Sequence, residues 1–288
     1  MAENETIQIK RPTVAIPDFV AQSAIAASKP ESKYPTHIIS LPTKGFFYPE
    51  GHPLSSGEVE LKDMTAKEED ILANQELIKK GKVLDKLIES LLVNKSINPA
   101  EILVPDKNGI FIAIRRFAYG DEYPISVTCP QCGGQNKISI NLGELKNKPF
   151  NFDSVTKGQN SFSFKLPSGT QITYKILNQI DESAIDSELL NLKKISKDSS
   201  SELTTRLKYL LTSVNGNPDK AAIRKFVDSS QLSARDSLAL RKHIKENNPD
   251  VDMTFDFKCS DPTNKGCSLE RRSDVPIGAS FLWPDIDA

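Results

Sequence analysis

Two pairs of cysteines constrain the fold of this chain more than any other feature. Cys129 and Cys132 lie in a Cys-Pro-Gln-Cys-Gly-Gly turn, and Cys259 and Cys267 lie far along the chain as the only other cysteines. The proline fixes φ and the glycines permit a positive φ, so both thiolates of the turn can face one point. A strand-like run precedes each pair. We therefore predict that two strand-end loops meet in a zinc-ribbon-like site with four cysteine ligands.

The spacing of the second pair leaves other interpretations of the cysteines open. Cys259 and Cys267 enclose a wider loop than the usual zinc knuckle. Disulfides or free thiols are one alternative, and rubredoxin-like iron is another. No secretory signal is visible, and a reducing cytosol disfavours structural disulfides. A thioredoxin-like redox motif would open a helix, whereas strands flank Cys129 and Cys132.

A comparison of free energies favours a metal ion as the link between the two cysteine pairs. Closing so long a loop costs roughly 5 kcal/mol in the chain-entropy model. Zinc binding at a structural site contributes about 10–16 kcal/mol at neutral pH. Structural zinc is therefore the expectation, with iron as the less favoured metal. Four protein ligands leave no open position for a reactive water, so we expect no catalysis at this site.

Composition restricts the class of protein. The 288 residues carry a net charge of -1 with 26% charged residues, which is typical of a soluble surface. Dedicated nucleic-acid binders usually show a basic excess or stripe. No apolar run approaches the ~20 residues that span a bilayer. We expect a protein made in the cytoplasm and free of membrane.

The first half of the chain predicts a tail and an α+β region. Residues 1–33 are expected to form a flexible tail, and residues 34–150 an α+β region that includes the first cysteine turn. Thr65 and Glu68 make a capping box for a helix at 66–74. A leucine-rich helix at 83–92 is expected to pack into the core. The β-branched segment 110–117 favours a strand, although its continuity also permits a buried helix.

The second half predicts a hairpin, a helical insertion and a C-terminal segment. Alternating apolar residues at 160–177 predict a β-hairpin within residues 151–178. Residues 179–249 predict a helical insertion, with helices at 180–197, 202–214, 219–227 and 233–247. Residues 250–288 hold a strand, the second cysteine turn and an aromatic tail that either fills its own core or inserts into a partner. The expected fold is therefore α+β, a β-rich core with a helical insertion in the C-terminal half.

Several polar residues invite a functional interpretation that we do not favour. Arg115 and Arg116 are expected to pair locally with Asp121 and Glu122. His52 is expected to be a solvated turn residue. The sequence shows no phosphate-binding glycine loop, no His-Glu-x-x-His and no nucleophile elbow, which disfavours an enzyme.

Five stretches together resemble a known family. They are Leu-Pro-Thr-Lys-Gly-Phe-Phe-Tyr-Pro-Glu at 41–50, Met-Thr-Ala-Lys-Glu-Glu-Asp-Ile-Leu-Ala-Asn at 64–74, Lys-Gly-Lys-Val-Leu-Asp-Lys-Leu-Ile at 80–88, Ile-Arg-Arg-Phe-Ala-Tyr-Gly-Asp-Glu-Tyr at 114–123 and the turn at 129–133. Their order is similar to that of the baseplate hub and hub-assembly proteins of T-even-type contractile-tailed bacteriophages. The resemblance covers residues 37–150 well and the C-terminal half more loosely.

The resemblance implies a non-enzymatic structural or assembly component of the phage tail. Its partners would be other tail and baseplate proteins, in a hetero-oligomeric assembly. Its location would be the virion baseplate, or the host cytoplasm during assembly. The family offers no catalytic residues. The alternative from the residues alone is a zinc-ribbon nucleic-acid-binding protein, for which Lys258, Lys265, Arg271 and Arg272 offer a modest basic face.

Overall fold

The protein consists of helices and small antiparallel sheets, which confirms the predicted α+β class. The computed structural model describes residues 35–195, 201–260, 267–277 and 279–282. The strands are β1 Thr36–Ser40, β2 Glu58–Lys62, β3 Glu122–Thr128, β4 Gln135–Asn141, β5 Phe162–Lys165, β6 Gln171–Tyr174, β7 Leu211–Val214, β8 Thr254–Lys258 and β9 Glu270–Asp274. The helices are α1 Ala66–Ala73, α2 Gln75–Lys79, α3 Val83–Leu91, α4 Val104–Tyr119, α5 Gln179–Ile195, α6 Glu202–Leu210, α7 Lys220–Asp228, α8 Ala234–Asn247 and α9 Ala279–Leu282.

The strands of the described residues pair into four separate antiparallel sheets and form no closed barrel. Three sheets are two-stranded ribbons, β1–β2, β3–β4 and β8–β9. The fourth has the order β5-β6-β7. Small ribbons bury little surface alone, so they depend on the helices and on each other for stability.

Helix α4 lies at the centre of the core, where the sequence had favoured a strand. The segment 110–117 lies within this helix, and Ile110, Ile112 and Ile114 are all buried. Because the helix is buried on nearly all sides, its apolar residues show no amphipathic period. Pro105 in the first turn and Gly120 at the C-terminal cap, with a φ of 86°, are the usual helix start and stop signals. The alternative of a buried helix is therefore correct.

Two arginines of α4 differ in their partners. Arg116 Nε donates to Asp121 Oδ1 at 2.6 Å, as expected from the sequence. The prediction of a local ion pair is wrong for Arg115. Its Nε and Nη1 are buried and have no hydrogen-bond partner among the described residues, and its guanidinium lies over the rings of Tyr119 and Tyr123.

Local signals in the first half placed two helices well. The capping box at the start of α1 is present, with the Thr65 backbone N–H donating to Glu68 Oε2 at 3.0 Å. The apolar face of α3 is buried in the main core, as predicted. Helix α2 follows α1 immediately and was not predicted. Asn74 caps it by accepting from the backbone N–H groups of Glu76 and Leu77.

The predicted hairpin forms β5 and β6, with Phe162 opposite Tyr174. The helix expected over 202–214 is wrong at its end, because α6 stops at Leu210 and 211–214 form β7. This strand pairs with β6 and makes the sheet three-stranded. Two physical causes favour the strand: its residues include β-branched Thr212 and Val214, and Asn215, with a φ of 49°, begins a tight turn directly after it.

The C-terminal aromatic residues that are described lie in the chain's own core. Phe281 and Leu282 are fully buried, and the Phe281 ring packs edge-on against Tyr123 at 4.8 Å. Trp283 and the N-terminal tail predicted over 1–33 lie outside the described residues. Of the two alternatives for the C-terminal tail, filling its own core is therefore correct for Phe281 and Leu282.

Candidate metal centre

The first cysteine pair lies in the turn between β3 and β4. Cys129 follows the last residue of β3, and its N–H donates to Gly134 O at 2.8 Å. Gly133 N–H donates back to Cys129 O at 2.8 Å. Gly133 has a φ of 74°, a backbone conformation that favours glycine. The turn therefore closes tightly and brings Cys129 and Cys132 to one side.

The second pair lies at the same end of the β8–β9 ribbon. Cys259 directly follows β8, and its N–H donates to Leu269 O at 2.9 Å. Cys267 precedes β9 on the returning chain. The backbone bond between Cys259 and Leu269 extends the pairing of the ribbon beyond its last strand residues. Cys259 and Cys267 are thereby held at the end of one ribbon.

The four sulfur atoms converge on a single point. Cys129 Sγ lies 3.8 Å from Cys267 Sγ, and Cys132 Sγ lies 3.7 Å from Cys259 Sγ. All four lie within 4.8 Å of one another. A zinc–sulfur bond of about 2.3 Å gives a tetrahedron with edges of about 3.8 Å. The spacing therefore fits a tetrahedral metal, and it is far longer than the ~2.05 Å of a disulfide.

Apolar side chains pack against the sulfur cluster, in which Cys132 and Cys267 remain partly exposed. Cys129 and Phe257 are fully buried, and Cys259 is nearly so. Val127, Ile138, Phe255 and Leu269 pack against them, and Ile138 and Phe255 also contact the main hydrophobic core. Apolar surroundings limit the access of water and of competing ligands to the sulfur atoms.

Backbone donors and neighbouring thiols set the protonation of the cluster. Burial raises the pKa of Cys129, but hydrogen bonds from the backbone of Cys132 and Gln131 outweigh it and lower the pKa to about 7. The backbone of Gly134 lowers the pKa of Cys132, but burial and the adjacent sulfur atoms raise it overall to about 12. Cys129 therefore loses its proton readily, whereas the negative charge of a neighbouring thiolate opposes deprotonation of Cys132. A divalent cation at the centre would relieve this repulsion and release protons on binding.

The three histidines have other contacts. His37 Nε2 lies 2.6 Å from Asp63 Oδ1, and the His243 ring stacks on Phe164. The expectation that His52 is a solvated turn residue is wrong. Its side chain is only 17% exposed, its Nδ1 accepts from Leu54 N–H at 3.1 Å, and its ring stacks on Tyr48. His52 is thereby the N-terminal cap of the short 3-10 turn Pro53–Ser56.

Sequence reasoning missed one polar residue beside the cysteine turns. Asn136 lies on β4 and is buried, with its amide between the two turns. Asparagine is depleted in strands, so an asparagine within the alternating pattern of β4 was the one sequence feature that could have pointed to a special role for this position.

Comparison with known proteins identifies a family. A family model described as T4 bacteriophage base plate protein matches residues 50–272, well over half of the chain and a span that includes all four cysteines. No curated protein and no solved structure matches the chain. Across the described residues, no helix combines the length and apolar character needed to cross a membrane. Since the match covers most of the chain, this protein belongs to the T4 bacteriophage base plate protein family.

Proposed function

We propose that this protein is a non-enzymatic structural or assembly component of the baseplate hub of a contractile phage tail. The family match over residues 50–272 supports this proposal most strongly. The protein would act through contacts with other tail and baseplate proteins, in the virion or in the host cytoplasm during assembly.

In this proposal Cys129, Cys132, Cys259 and Cys267 hold a structural zinc ion. The sulfur–sulfur distances of 3.7 and 3.8 Å support the tetrahedral ligand set. Tetrahedral coordination by four sulfurs suits zinc or iron. Zinc is our choice because it forms closed structural sites of this kind, with no open position for substrate or water. The site would fasten the β3–β4 ribbon to the β8–β9 ribbon and leave the helices free to contact partners.

The charges near the cysteine turns give little support to the nucleic-acid-binding alternative. Lys258 Nζ lies 2.6 Å from Glu270 Oε1, and Arg272 Nη2 lies 2.6 Å from Asp252 Oδ2. Two of the four basic residues named for this face therefore have a carboxylate partner, and Lys265 lies outside the described residues. A neutralised surface gains little from contact with phosphates. A salt-dependent shift of DNA or RNA by the purified protein would favour the alternative over our proposal.

Cross-linking in assembled tails tests the proposal. Tails and tail intermediates are purified from infected cells, treated with a lysine-reactive cross-linker and digested, and the linked peptides are identified by mass spectrometry. We expect links between this chain and other baseplate proteins in hub-containing particles. Absence of the chain from finished tails and from every assembly intermediate would contradict a tail role.

A second experiment, on phage assembly, tests the cysteine site separately from the role of the whole protein. Phage that encode Cys132→Ser are compared with phage that encode Ser126→Ala, an exposed change on the same ribbon. We expect fewer complete baseplates for Cys132→Ser and a normal yield for Ser126→Ala. Equal yields would show that tail assembly does not depend on the cysteine site.

A further inference from the structure

A single buried side chain joins the two turns that carry the cysteines. Asn136 is 2% exposed. Its Oδ1 accepts from the backbone N–H of Ser260 at 2.7 Å, and its Nδ2 donates to Gly134 O at 3.1 Å. A weaker contact of 3.4 Å joins the Ser260 hydroxyl to the same oxygen. Ser260 directly follows Cys259, so the amide spans both turns although 124 positions separate Asn136 from Ser260 along the chain.

The two ends of the amide act on groups that position cysteines. Gly134 O also accepts the N–H of Cys129, so the carbonyl that Asn136 contacts is the one that closes the first turn. The bond from Ser260 fixes the backbone immediately after Cys259. The hydrogen bonds therefore run continuously from Cys129 through Gly134, Asn136 and Ser260 to the second turn. Buried hydrogen bonds of this kind stabilise one relative placement of the two turns.

We infer that Asn136 is a positioning residue for the metal centre: it holds the Cys259 turn against the Cys129–Cys132 turn and orders the ligands before metal binds. This inference rests on the proposed metal site. Groups that orient metal ligands without touching the metal typically change metal affinity by about 10–100-fold when mutated. Asn136 therefore has a role in affinity that goes beyond filling space in the core.

The chemistry of the position favours an amide. The site needs one acceptor for Ser260 N–H and one donor for Gly134 O, and asparagine supplies both on one short side chain. Aspartate keeps the acceptor, loses the donor and adds a negative charge next to the sulfur atoms. Leucine has the same branched shape, is somewhat larger and supplies neither bond. These two substitutions therefore separate hydrogen bonding from packing.

Metal titration of the full chain tests the inference. The protein is stripped of metal under reducing conditions and titrated with Co²⁺, which gives a thiolate charge-transfer band, and the affinity for Zn²⁺ follows by competition. We expect Asn136→Leu to bind each metal about 10–100-fold more weakly than the wild type, with the same band at saturation because all four sulfurs still ligate. Ser260→Ala is the matched control. Among the described residues it loses the 3.4 Å hydroxyl contact alone, and it keeps the backbone donor, so its affinity should stay within about twofold of the wild type.

Unfolding measurements separate positioning from a general loss of stability. If Asn136→Leu binds Co²⁺ as tightly as the wild type and loses the same stability with and without metal, Asn136 is an ordinary core amide and the inference is overturned. Should that variant fail to fold, Asn136→Asp replaces it and is expected to bind metal at least about tenfold more weakly. Wild-type affinity in Asn136→Asp would likewise overturn the inference. A wild-type protein that binds neither Co²⁺ nor Zn²⁺ would instead contradict the proposed metal site itself.

Discussion

Cys132 Sγ lies 3.7 Å from Cys259 Sγ, although 127 positions separate the two residues along the chain. The contact connects the β3–β4 ribbon with the β8–β9 ribbon at their turn ends. Closing a loop of this length opposes folding by roughly 5 kcal/mol in the chain-entropy model, and zinc binding of about 10–16 kcal/mol exceeds that opposition. At the other end of the ribbons, Lys148 N–H donates to Asp250 O and Asp252 N–H donates to Lys146 O, each at 2.7 Å. The metal would therefore reinforce this connection at the turn ends.

Substitution of one ligand tests this role of the metal. We expect Cys132→Ser to lower bound zinc and to lower the melting temperature of the zinc-loaded protein, because three sulfurs and a weakly binding hydroxyl hold the ion poorly. Bound zinc is measured by elemental analysis and the melting temperature by calorimetry. Ser126→Ala, exposed on β3, is the control and should match the wild type in both. Normal zinc loading and stability in Cys132→Ser would refute its assignment as a ligand.

An ion pair between α5 and α7 should contribute measurably to stability. Both oxygens of Glu188 accept from Arg224, at 2.8 and 2.7 Å, and the Tyr209 hydroxyl donates to the same carboxylate at 3.0 Å. The hydrogen bonds from Arg224 lower the pKa of Glu188. Glu188→Gln should reduce the free energy of unfolding by about 1–2 kcal/mol, since it breaks the bidentate pairing on a partly exposed surface. Urea unfolding at neutral pH measures the difference.

The control for Glu188 is an ion pair with less favourable geometry. Lys242 Nζ and Glu246 Oε1 lie 3.9 Å apart on α8, with both side chains more than half exposed. Glu246→Gln should change the free energy of unfolding by less than about 0.5 kcal/mol. Equal changes in the free energy of unfolding for the two glutamine substitutions would show that the α5–α7 pair contributes no more to stability than an exposed ion pair.

A buried carboxylate near the start of α4 should make stability depend on pH. Asp106 accepts from the Thr43 N–H at 2.9 Å and from the hydroxyls of Thr43 and Tyr48, each at 2.7 Å. Burial nevertheless raises the pKa of Asp106 to about 6 against these donors, and Asp250 adds to the rise. Because the folded state binds the proton more tightly than the unfolded chain, this group stabilises the fold at low pH. The contribution is lost as pH rises through about 6.

Comparison with Asp106→Asn isolates this effect from other titrations. The free energy of unfolding of the wild type, minus that of the variant, should increase by up to about 3 kcal/mol as pH falls from 7 to 4. Urea unfolding at several pH values gives this difference directly. A difference that stays constant, or that grows toward high pH, would show that the three donors dominate and that Asp106 is ionised throughout.

The adjacent arginines of α4 should respond in opposite ways to the same change. Burial lowers the pKa of Arg115, which has no carboxylate partner within the described part of the chain, whereas Arg116 bonds to Asp121. Arg115→Met should leave the free energy of unfolding unchanged or raise it by about 1 kcal/mol, because a desolvated charge is removed. Arg116→Met should lower it by about 1–3 kcal/mol, because Asp121 loses its donor. A larger loss for Arg115→Met than for Arg116→Met would contradict this account.

Elements governed by local chemistry were predictable from the sequence. The capping box of α1 and the alternation of β5 and β6 depend on residues within a few positions of one another, and both are present in the structure. The convergence of the cysteines was also predictable, because turn chemistry and ligand type restrict where such pairs can lie.

Elements governed by tertiary contacts were not predictable. Helix α4 is surrounded by core on nearly all sides, which removes the periodicity that identifies a helix. Strand β7 exists because β6 offers it an open edge, with Tyr174 opposite Leu211. The two shorter hydrogen bonds of Asn136 join it to backbone groups, one of them in the distant second turn. A pattern of side chains in the sequence does not reveal contacts with backbone groups. Arg115 was expected to pair with a carboxylate close to it in sequence, but its guanidinium lies over the rings of Tyr119 and Tyr123.

Metal stoichiometry tests the central claim most directly. The full chain is purified without chelator and weighed by native mass spectrometry, alongside elemental analysis and a visible absorption spectrum. We expect one zinc ion per chain, no iron absorption, and loss of both the ion and thermal stability after treatment with a strong chelator. A protein that carries no metal, takes up none from added zinc and melts at the same temperature with and without chelator would contradict the account.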